Sequence, residues 1–266
     1  MKHLMDEWPA VEAAITGSCV FFLLDFDGTL AAIRRDPAKA ALSRKAEETL
    51  AEAVSTKGIS VAVISGRSRR DIMSRVGIKG ITYVGNHGFE TGKPQTGGSF
   101  RKTRRFSQAI RKVATLLKAS CGSIDGVIVE DKGLTISVHY RMASSRDAAK
   151  VRRLFSDVVT PYLSAGRVFA SGGKKVLEVL PPVKWDKGEA ALRLISEKKR
   201  MSKKPVLPVY IGDDITDETA FKAIGNSGLT VLVGRRSSAA GHYLEGTGEV
   251  ISFIRRTIKV KKGDIR

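Results

Sequence analysis

The chain has 266 residues, a length that is sufficient for a hydrophobic core and one or two domains. Of these residues 42% are hydrophobic and 27% are charged, and the net charge is +19. The longest apolar runs are too short to span a bilayer. The first residues include acidic side chains, whereas a signal peptide begins with basic residues followed by an apolar segment. We therefore expect a cytoplasmic protein without a membrane partner. The positive charge favours anionic substrates, but only 6% of residues are aromatic and no nucleic-acid-binding motif is recognisable, so nucleic acid is not an expected partner.

The first informative element is a strand predicted over Cys19–Leu24, because an unbroken apolar run is typical of a strand buried on both faces of a parallel sheet. The strand ends at Asp25, and alternation places Asp25 and Asp27 on the same side. Ligands of open α/β sheets bind beyond the carboxyl ends of the strands. There a carboxylate can attack phosphorus, and a second one can transfer the proton. An ordinary Asp-Gly turn is the alternative for this motif alone.

A second apolar strand is predicted over Ile59–Ile64, and it is followed by Ser65, Gly66 and Arg67 at the start of a polar helix. A hydroxyl group and backbone N–H groups at a helix N-terminus can bind an anion. Alone, this segment could equally be a helix N-cap.

The middle of the chain predicts an inserted domain. After a turn-rich linker at Gly92–Gly98, the pattern is helix, two strands, helix, two strands. These elements are expected near Thr103–Ala119, Val127–Glu130, Leu134–Tyr140, Arg146–Tyr162, Arg167–Ala170 and Lys175–Leu180. We therefore predict a doubly wound, mostly parallel, Rossmann-like α/β core over residues 1–95 and 181–266, with an α+β cap domain over residues 96–180 above the catalytic loops.

The last third of the chain adds a lysine and more acids. Lys187 precedes a helix predicted over Glu189–Lys198, and its ammonium group could neutralise a phosphate. A strand over Val206–Ile211 then leads into Gly212-Asp213-Asp214, followed by Asp217. Mg²⁺ prefers a few carboxylates together with water and phosphate oxygens. Acidic residues that favour a helix dipole are the alternative for Asp217.

These four motifs in this order resemble the haloacid dehalogenase-like phosphatases. Further segments make the chain similar to the trehalose-6-phosphate phosphatase family: GNHGFE (Gly85–Glu90), VEDKGLTISVHYR (Val129–Arg141), GKKVLEV (Gly173–Val179) and GDDITDE (Gly212–Glu218). The chain departs from this family at Leu180, where an arginine usually precedes the proline.

The resemblance implies a role for each matching residue. Asp25 would be the nucleophile that forms an aspartyl-phosphate, Asp27 the general acid and base, and Ser65 and Lys187 would hold the phosphoryl oxygens. Mg²⁺ would be bound by Asp25, the carbonyl of Asp27 and Asp213, with support from Asp214 and Asp217. The substrate-binding positions would be Gly66, Arg67, Asn86, His87, Glu130, Lys132, Arg141, Lys174 and Glu178. The implied substrate is trehalose 6-phosphate, and a functional link to a trehalose-phosphate synthase is suggested.

Two alternatives stay open at this point. A related phosphatase could act on sucrose 6-phosphate or a hexose phosphate, since changed cap residues would suffice. A catalytically inactive sugar-phosphate sensor is the second, although a sensor has no need of both Asp25 and Asp27. Basic runs at Arg101–Arg105, Lys198–Lys204 and Arg255–Lys262 are expected to be solvated faces and a tail.

Overall fold

The chain forms two units, one inserted into the other. The computed structural model describes residues 1–34, 36–91, 98–173, 175–183 and 186–263, and only the backbone of residues 98–105. The first unit comprises residues 1–92 and 185–266, and the second comprises residues 93–184. The expected boundaries at 95/96 and 180/181 lie a few residues from these, and the assignment of the units as catalytic core and cap stays a prediction.

The first unit contains a seven-stranded sheet in which every strand pair is parallel. The spatial order is β1-β11-β10-β9-β2-β3-β4. The strands are β1 (Lys2–His3), β2 (Cys19–Leu24), β3 (Ile59–Ile64), β4 (Thr82–Val84), β9 (Val206–Gly212), β10 (Leu229–Val233) and β11 (His242–Leu244).

Helices cover both faces of this sheet. One face packs against α1 (Trp8–Thr16), α2 (Arg44–Ser55), α3 (Arg69–Val76) and α8 (Thr247–Lys262). The other packs against α6 (Lys187–Met201) and α7 (Glu218–Ile224). Successive residues of a strand point to opposite faces, which is why β2 has to be apolar throughout. The predicted doubly wound α/β architecture is confirmed.

The second unit has a four-stranded antiparallel sheet of order β5-β6-β8-β7. Its elements are α4 (Gly98–Cys121), β5 (Ile128–Asp131), β6 (Ile136–His139), α5 (Ser145–Ser164), β7 (Phe169–Gly173) and β8 (Val176–Leu180). Apolar side chains of both helices pack with Ile136, Val138 and Val179 in one core. The predicted α+β order is therefore present, with longer helices and a shorter β6 than expected.

The basic run Arg255–Lys262, which was expected to be solvated, is part of a helix that packs on the core. It forms the second half of α8, in which Phe253, Ile254 and Ile258 are buried against the core. Basic residues between these apolar positions obscure the amphipathic pattern in the sequence, although only one face of the helix is solvated. None of the helices in the described ranges combines the length and the hydrophobicity of a transmembrane segment.

Candidate active site

Three strands of the first unit end beside one another, and each is followed by polar residues. Asp25 follows β2, Ser65 follows β3 and Asp213 follows β9. The backbone N–H of Asp25 donates to the carbonyl of Ile211 in β9 at 2.9 Å. Because β2 pairs in parallel with both β3 and β9, the three carboxyl ends share one edge of the sheet.

The loop after β2 packs directly against Asp213. Gly28 has a positive φ of 84°, and a Cβ atom at this position would lie 2.1 Å from Oδ2 of Asp213. Only glycine accommodates both the left-handed backbone and this close approach. Gly28 therefore allows the loop that carries Asp25 and Asp27 to lie next to Asp213.

A buried lysine joins the two acidic segments. The Nζ atom of Lys187 donates to Oδ1 of Asp25 at 2.7 Å and to Oδ1 of Asp217 at 2.8 Å. Only 3% of the surface of Lys187 is exposed. Burial alone would lower the pKa of Lys187, but the attraction of Asp217 and Asp25 outweighs burial and raises this pKa. The side chain is therefore a fixed ammonium group at the first residue of α6.

The carboxylate of Asp217 is fully buried and orients this lysine. Besides Lys187, its Oδ1 atom accepts a hydrogen bond from the hydroxyl of Tyr210 at 2.8 Å, and its Oδ2 atom accepts from the backbone N–H of Asp214 at 3.0 Å. The carboxylate of Asp214 accepts from the N–H of Ile215 at 2.7 Å and caps a short 3₁₀ helix. Through these contacts Asp217 holds Lys187, and Asp214 holds the start of the 3₁₀ helix.

Tyr210 was absent from the residues expected in the site. Its ring packs edge-to-face with Phe221 at 5.7 Å between ring centroids, and its side chain is completely buried. In the sequence it lies within an apolar strand, where a tyrosine is interpreted as a core residue. The nearby acidic segment was the only available signal that its hydroxyl has a carboxylate partner.

Three carboxylates converge at this edge of the sheet. Asp25, Asp213 and Asp217 each place one oxygen within 4.8 Å of the other two. The Oδ1 atom of Asp213 is buried and has no hydrogen-bond partner among the described residues. Burial raises the pKa of Asp213 to about 7, and the charge of Asp217 adds to this effect. Burial likewise raises the pKa of Asp25.

This charge arrangement fits a divalent cation. One lysine opposes three carboxylates, so a further positive charge is needed to keep Asp25 and Asp213 ionised. Hard carboxylate oxygens, including an unpartnered one on Asp213, are the donors that Mg²⁺ prefers. The donor set is therefore compatible with the expected metal.

Asp27 is held by an arginine. Nε and Nη2 of Arg67 donate to the two carboxylate oxygens of Asp27, each at 2.7 Å. Arg67 also donates to Asp71 at 3.0 Å and to the carbonyl of Pro37 at 2.8 Å. The structure thus connects the residue expected to be the general acid with one expected to bind substrate.

The segment after β4 packs against the loop after β3. Asn86 and His87 adopt positive φ angles of 50° and 54°, and their N–H groups donate to the carbonyls of Arg67 and Ser65 at 2.7 and 3.0 Å. A Cβ atom on Gly66 would lie 2.6 Å from the His87 ring. The Oγ atom of Ser65 is buried and accepts from the N–H of Arg67 at 3.1 Å. Ser65, Gly66 and His87 therefore lie together beside Asp25.

The second unit groups three of its expected substrate-binding residues. Nζ of Lys132 donates to Oγ of Ser137 at 2.8 Å, and this hydroxyl donates to Glu178 at 3.1 Å. Lys132 also pairs with Glu130 at 3.7 Å, and Glu130 contacts Nε2 of His139 at 3.2 Å. Ser137, which links this network, was not anticipated, and Lys174 lies outside the described residues.

Arg141 lies two residues beyond His139, the last residue of β6. It is exposed, whereas Tyr140 is buried in the core of the unit. Alternation along a strand places His139 and Arg141 opposite Val138 and Tyr140, in agreement with this burial pattern.

The sequence matches known proteins over most of its length. The family model of trehalose-phosphatase matches residues 23–244. The trehalose-phosphate phosphatase of Mycobacterium ulcerans is 36% identical over 245 residues, which cover 89% of this chain and 60% of the relative. A probable trehalose-phosphate phosphatase D of Arabidopsis thaliana is 32% identical over 273 residues, covering 96% and 72%. The chain thus spans about 60% of the length of the mycobacterial relative.

Solved structures show the same fold. The C-terminal domain of Candida albicans trehalose-6-phosphate phosphatase superimposes with a TM-score of 0.79 at 23% identity, covering 100% of this chain and 99% of that one. A haloacid dehalogenase-like hydrolase from B. subtilis matches with a TM-score of 0.53 at 16% identity, covering 88% and 98%. The fold is that of the haloacid dehalogenase-like phosphatases, and the chain belongs to the trehalose-phosphatase family.

Proposed function

We propose that this protein is a phosphatase that hydrolyses trehalose 6-phosphate to trehalose and phosphate, the last step of trehalose synthesis. The observation that carries the proposal is the ion pair between buried Lys187 and Asp25, at the strand edge where Asp213 also lies. The family membership supplies the substrate class.

Asp25 would be the nucleophile. A carboxylate oxygen of Asp25 attacks phosphorus, the bond from phosphorus to the sugar oxygen breaks, and an aspartyl-phosphate forms on Asp25. Lys187 holds the Asp25 carboxylate in place at 2.7 Å and stabilises negative charge on the phosphoryl oxygens. Fixing both groups in a buried site lowers the entropy cost of reaching the reactive geometry.

Asp27 would act first as general acid and then as general base. It gives a proton to the departing sugar oxygen, and it then removes a proton from the water that attacks the aspartyl-phosphate. That second attack releases phosphate and restores the Asp25 carboxylate. Arg67 holds Asp27 through two hydrogen bonds of 2.7 Å, so Asp27 has to leave this pairing or share it when it is protonated.

Ser65 and the backbone of Gly66 would bind the phosphoryl oxygens. They lie at the turn into α3, where a hydroxyl and N–H groups meet the positive end of the helix. Asn86 and His87 hold this turn from the other side, since their N–H groups donate to the carbonyls of Arg67 and Ser65.

Asp25, Asp213 and the carbonyl of Asp27 would bind Mg²⁺, which supplies positive charge to the phosphoryl group. Asp217 is the less suitable ligand, because both of its carboxylate oxygens already accept hydrogen bonds. We therefore assign Asp217, and Asp214 next to it, to positioning Lys187 and the loop that carries Asp213.

The second unit would act as a cap domain that recognises the sugar. Glu130, Lys132 and Glu178 form one polar network on its sheet, and such side chains can bind the hydroxyl groups of a disaccharide. Arg141 and Lys174 are assigned to the same function by the family match alone.

The substrate is tested by phosphate release in the presence of Mg²⁺. We expect a strong preference for trehalose 6-phosphate over sucrose 6-phosphate and glucose 6-phosphate. Asp25→Asn should lower turnover by roughly 10³-fold or more, because the nucleophile is lost. Asp6→Asn, which changes an exposed aspartate in the first unit, is the matched control. Substantial turnover by Asp25→Asn would contradict the covalent mechanism, and equal rates on all three sugars would contradict the substrate.

Removal of Mg²⁺ by a chelator should stop phosphate release, and added Mg²⁺ should restore it. Asp213→Asn should raise the Mg²⁺ concentration required for half-maximal activity, since it replaces a charged ligand by a neutral one. Titration calorimetry with Mg²⁺ alone provides a readout that does not depend on turnover. Unchanged Mg²⁺ binding by Asp213→Asn would show that this carboxylate is not a ligand.

Tyr210→Phe should lower kcat about 2- to 10-fold with little change in KM, because Asp217 loses the hydrogen bond from the Tyr210 hydroxyl and orients Lys187 less firmly. Tyr83→Phe is the matched control, since Tyr83 is also buried but donates to the carbonyl of Ile78 at 2.9 Å. An equal loss in both variants would indicate a general packing effect instead.

Glu130→Ala should impair the hydrolysis of trehalose 6-phosphate far more than that of p-nitrophenyl phosphate, which has no sugar to recognise. Asp131→Ala changes the neighbouring carboxylate of β5, which pairs with Lys118 at 3.7 Å, and serves as the control. Comparison of kcat/KM for the two substrates decides the question, and equal losses on both would mean that Glu130 does not contact the sugar.

A further inference from the structure

The edge of the core sheet opposite the candidate active site carries a concentration of positive charge. We call this surface the basic edge and define it by residues 55–59, 198–206 and 259–263. These segments contain nine lysines and arginines and no aspartate or glutamate. They precede β3, lead from α6 into β9, and end α8, so all three belong to the amino-terminal side of parallel strands.

Hydrogen bonds show that these segments are neighbours. The N–H of Cys19 donates to the carbonyl of Pro205 at 2.7 Å, and the N–H of Val20 donates to the carbonyl of Gly58 at 2.8 Å. The Nζ atom of Lys261 donates to the carbonyls of Ile15 and Ser18, just before β2. The start of β2 therefore connects all three segments into one surface.

Some of these cations have a structural role. Lys261 binds the two carbonyls described above, and burial together with the charge of Lys204 lowers its pKa. Lys262 pairs with Glu52 at 2.7 Å. Lysines in the last turn of a helix also favour its dipole. These contacts explain the cations of α8 near the core.

The remaining cations are explained only in part. Lys198, Lys199 and Arg200 lie in the last turn of α6 and favour its dipole, whereas Lys57, Lys203 and Lys204 lie outside the helices. Five of them are exposed and form no ion pair with any described residue: Lys57, Lys199, Arg200, Lys203 and Lys204. Such an excess of like charge on one surface destabilises the folded protein slightly through repulsion, and an anionic partner would relieve it.

An exposed methionine lies within this group. Met201 is 78% exposed, which is the highest value among the exposed large hydrophobic residues of the described chain. It lies between Arg200 and Lys203 in the sequence, at the end of α6. A single apolar side chain surrounded by cations can enter the interfacial region of a bilayer while the cations bind anionic headgroups. A nucleic acid offers such a methionine no apolar surface along its backbone, and the basic edge contains no aromatic residue for base stacking.

We propose that the basic edge binds the surface of a bilayer that contains anionic phospholipids. The attachment is peripheral and reversible, and it runs against the expectation from composition that the protein has no membrane partner. Because the strands are parallel, the carboxyl edge with Asp25 and Asp213 points away from the attached surface. The first unit would thus bind a membrane without covering its own candidate active site.

Co-sedimentation of the whole protein with lipid vesicles tests the proposal. Binding is expected to vesicles of phosphatidylcholine with phosphatidylglycerol, but not to phosphatidylcholine alone, and it should weaken at high salt. Lys203→Glu with Lys204→Glu should reduce the partition coefficient at least about tenfold, since each cation near an anionic surface contributes measurably. Met201→Ser should reduce it about two- to fivefold through lost insertion.

Matched controls exist in the second unit. Lys112→Glu with Lys150→Glu makes the same change in net charge at exposed helical positions, and Met142→Ser removes a methionine that is 50% exposed. Phosphatase activity is expected to stay unchanged in all four variants. Binding that both charge variants reduce equally would overturn the assignment to the basic edge. Failure to bind the anionic vesicles, with or without binding of duplex DNA, would overturn the proposal.

Discussion

The first unit is organised around one buried ammonium group. Lys187 lies between the carboxylates of Asp25, which follows β2, and Asp217, which comes after β9. It is also the first residue of α6, which packs on one face of the sheet. Removing this charge would leave Asp25 and Asp217 buried without a counter-ion, at a cost of roughly several kcal/mol. The same contact therefore fixes Asp25, the start of α6 and the acidic loop after β9. A substitution of Lys187 would therefore disturb the packing of the first unit together with the proposed nucleophile.

Much of this arrangement was predictable because it rests on continuous apolar strands. The runs Cys19–Leu24 and Ile59–Ile64 agree with β2 and β3, and the strand expected over Val206–Ile211 is one residue shorter than β9. A parallel sheet places the residues after such strands at one edge, so the proximity of Asp25, Ser65 and Asp213 follows from pattern and topology alone. The inserted unit was also predictable, because its helices and strands follow the turn-rich linker at Gly92–Gly98.

Partner choice within the site was not predictable. A tyrosine in an apolar strand gives no sign that its hydroxyl binds Asp217, and an acidic segment does not tell which carboxylates accept hydrogen bonds instead of holding a metal. The pairing of Arg67 with Asp27 depends on the turn that brings together segments 40 residues apart. Helix α8 was missed because cations interrupt its buried stripe. In each case contacts between segments that lie far apart in the chain determine the arrangement, whereas the periodicity of apolar residues predicts only local structure.

The insertion of the second unit has a consequence for the order of folding. Lys187 and Asp25 are 162 residues apart in the chain, whereas the strand pairs of the second unit lie much closer in sequence. Closing a long loop costs more conformational entropy than closing a short one, and domains tend to fold as units. Early folding of the inserted unit shortens the flexible chain between β2 and β9. The pairing of these two strands would then be the step that brings Asp25 and Asp213 to one edge of the sheet.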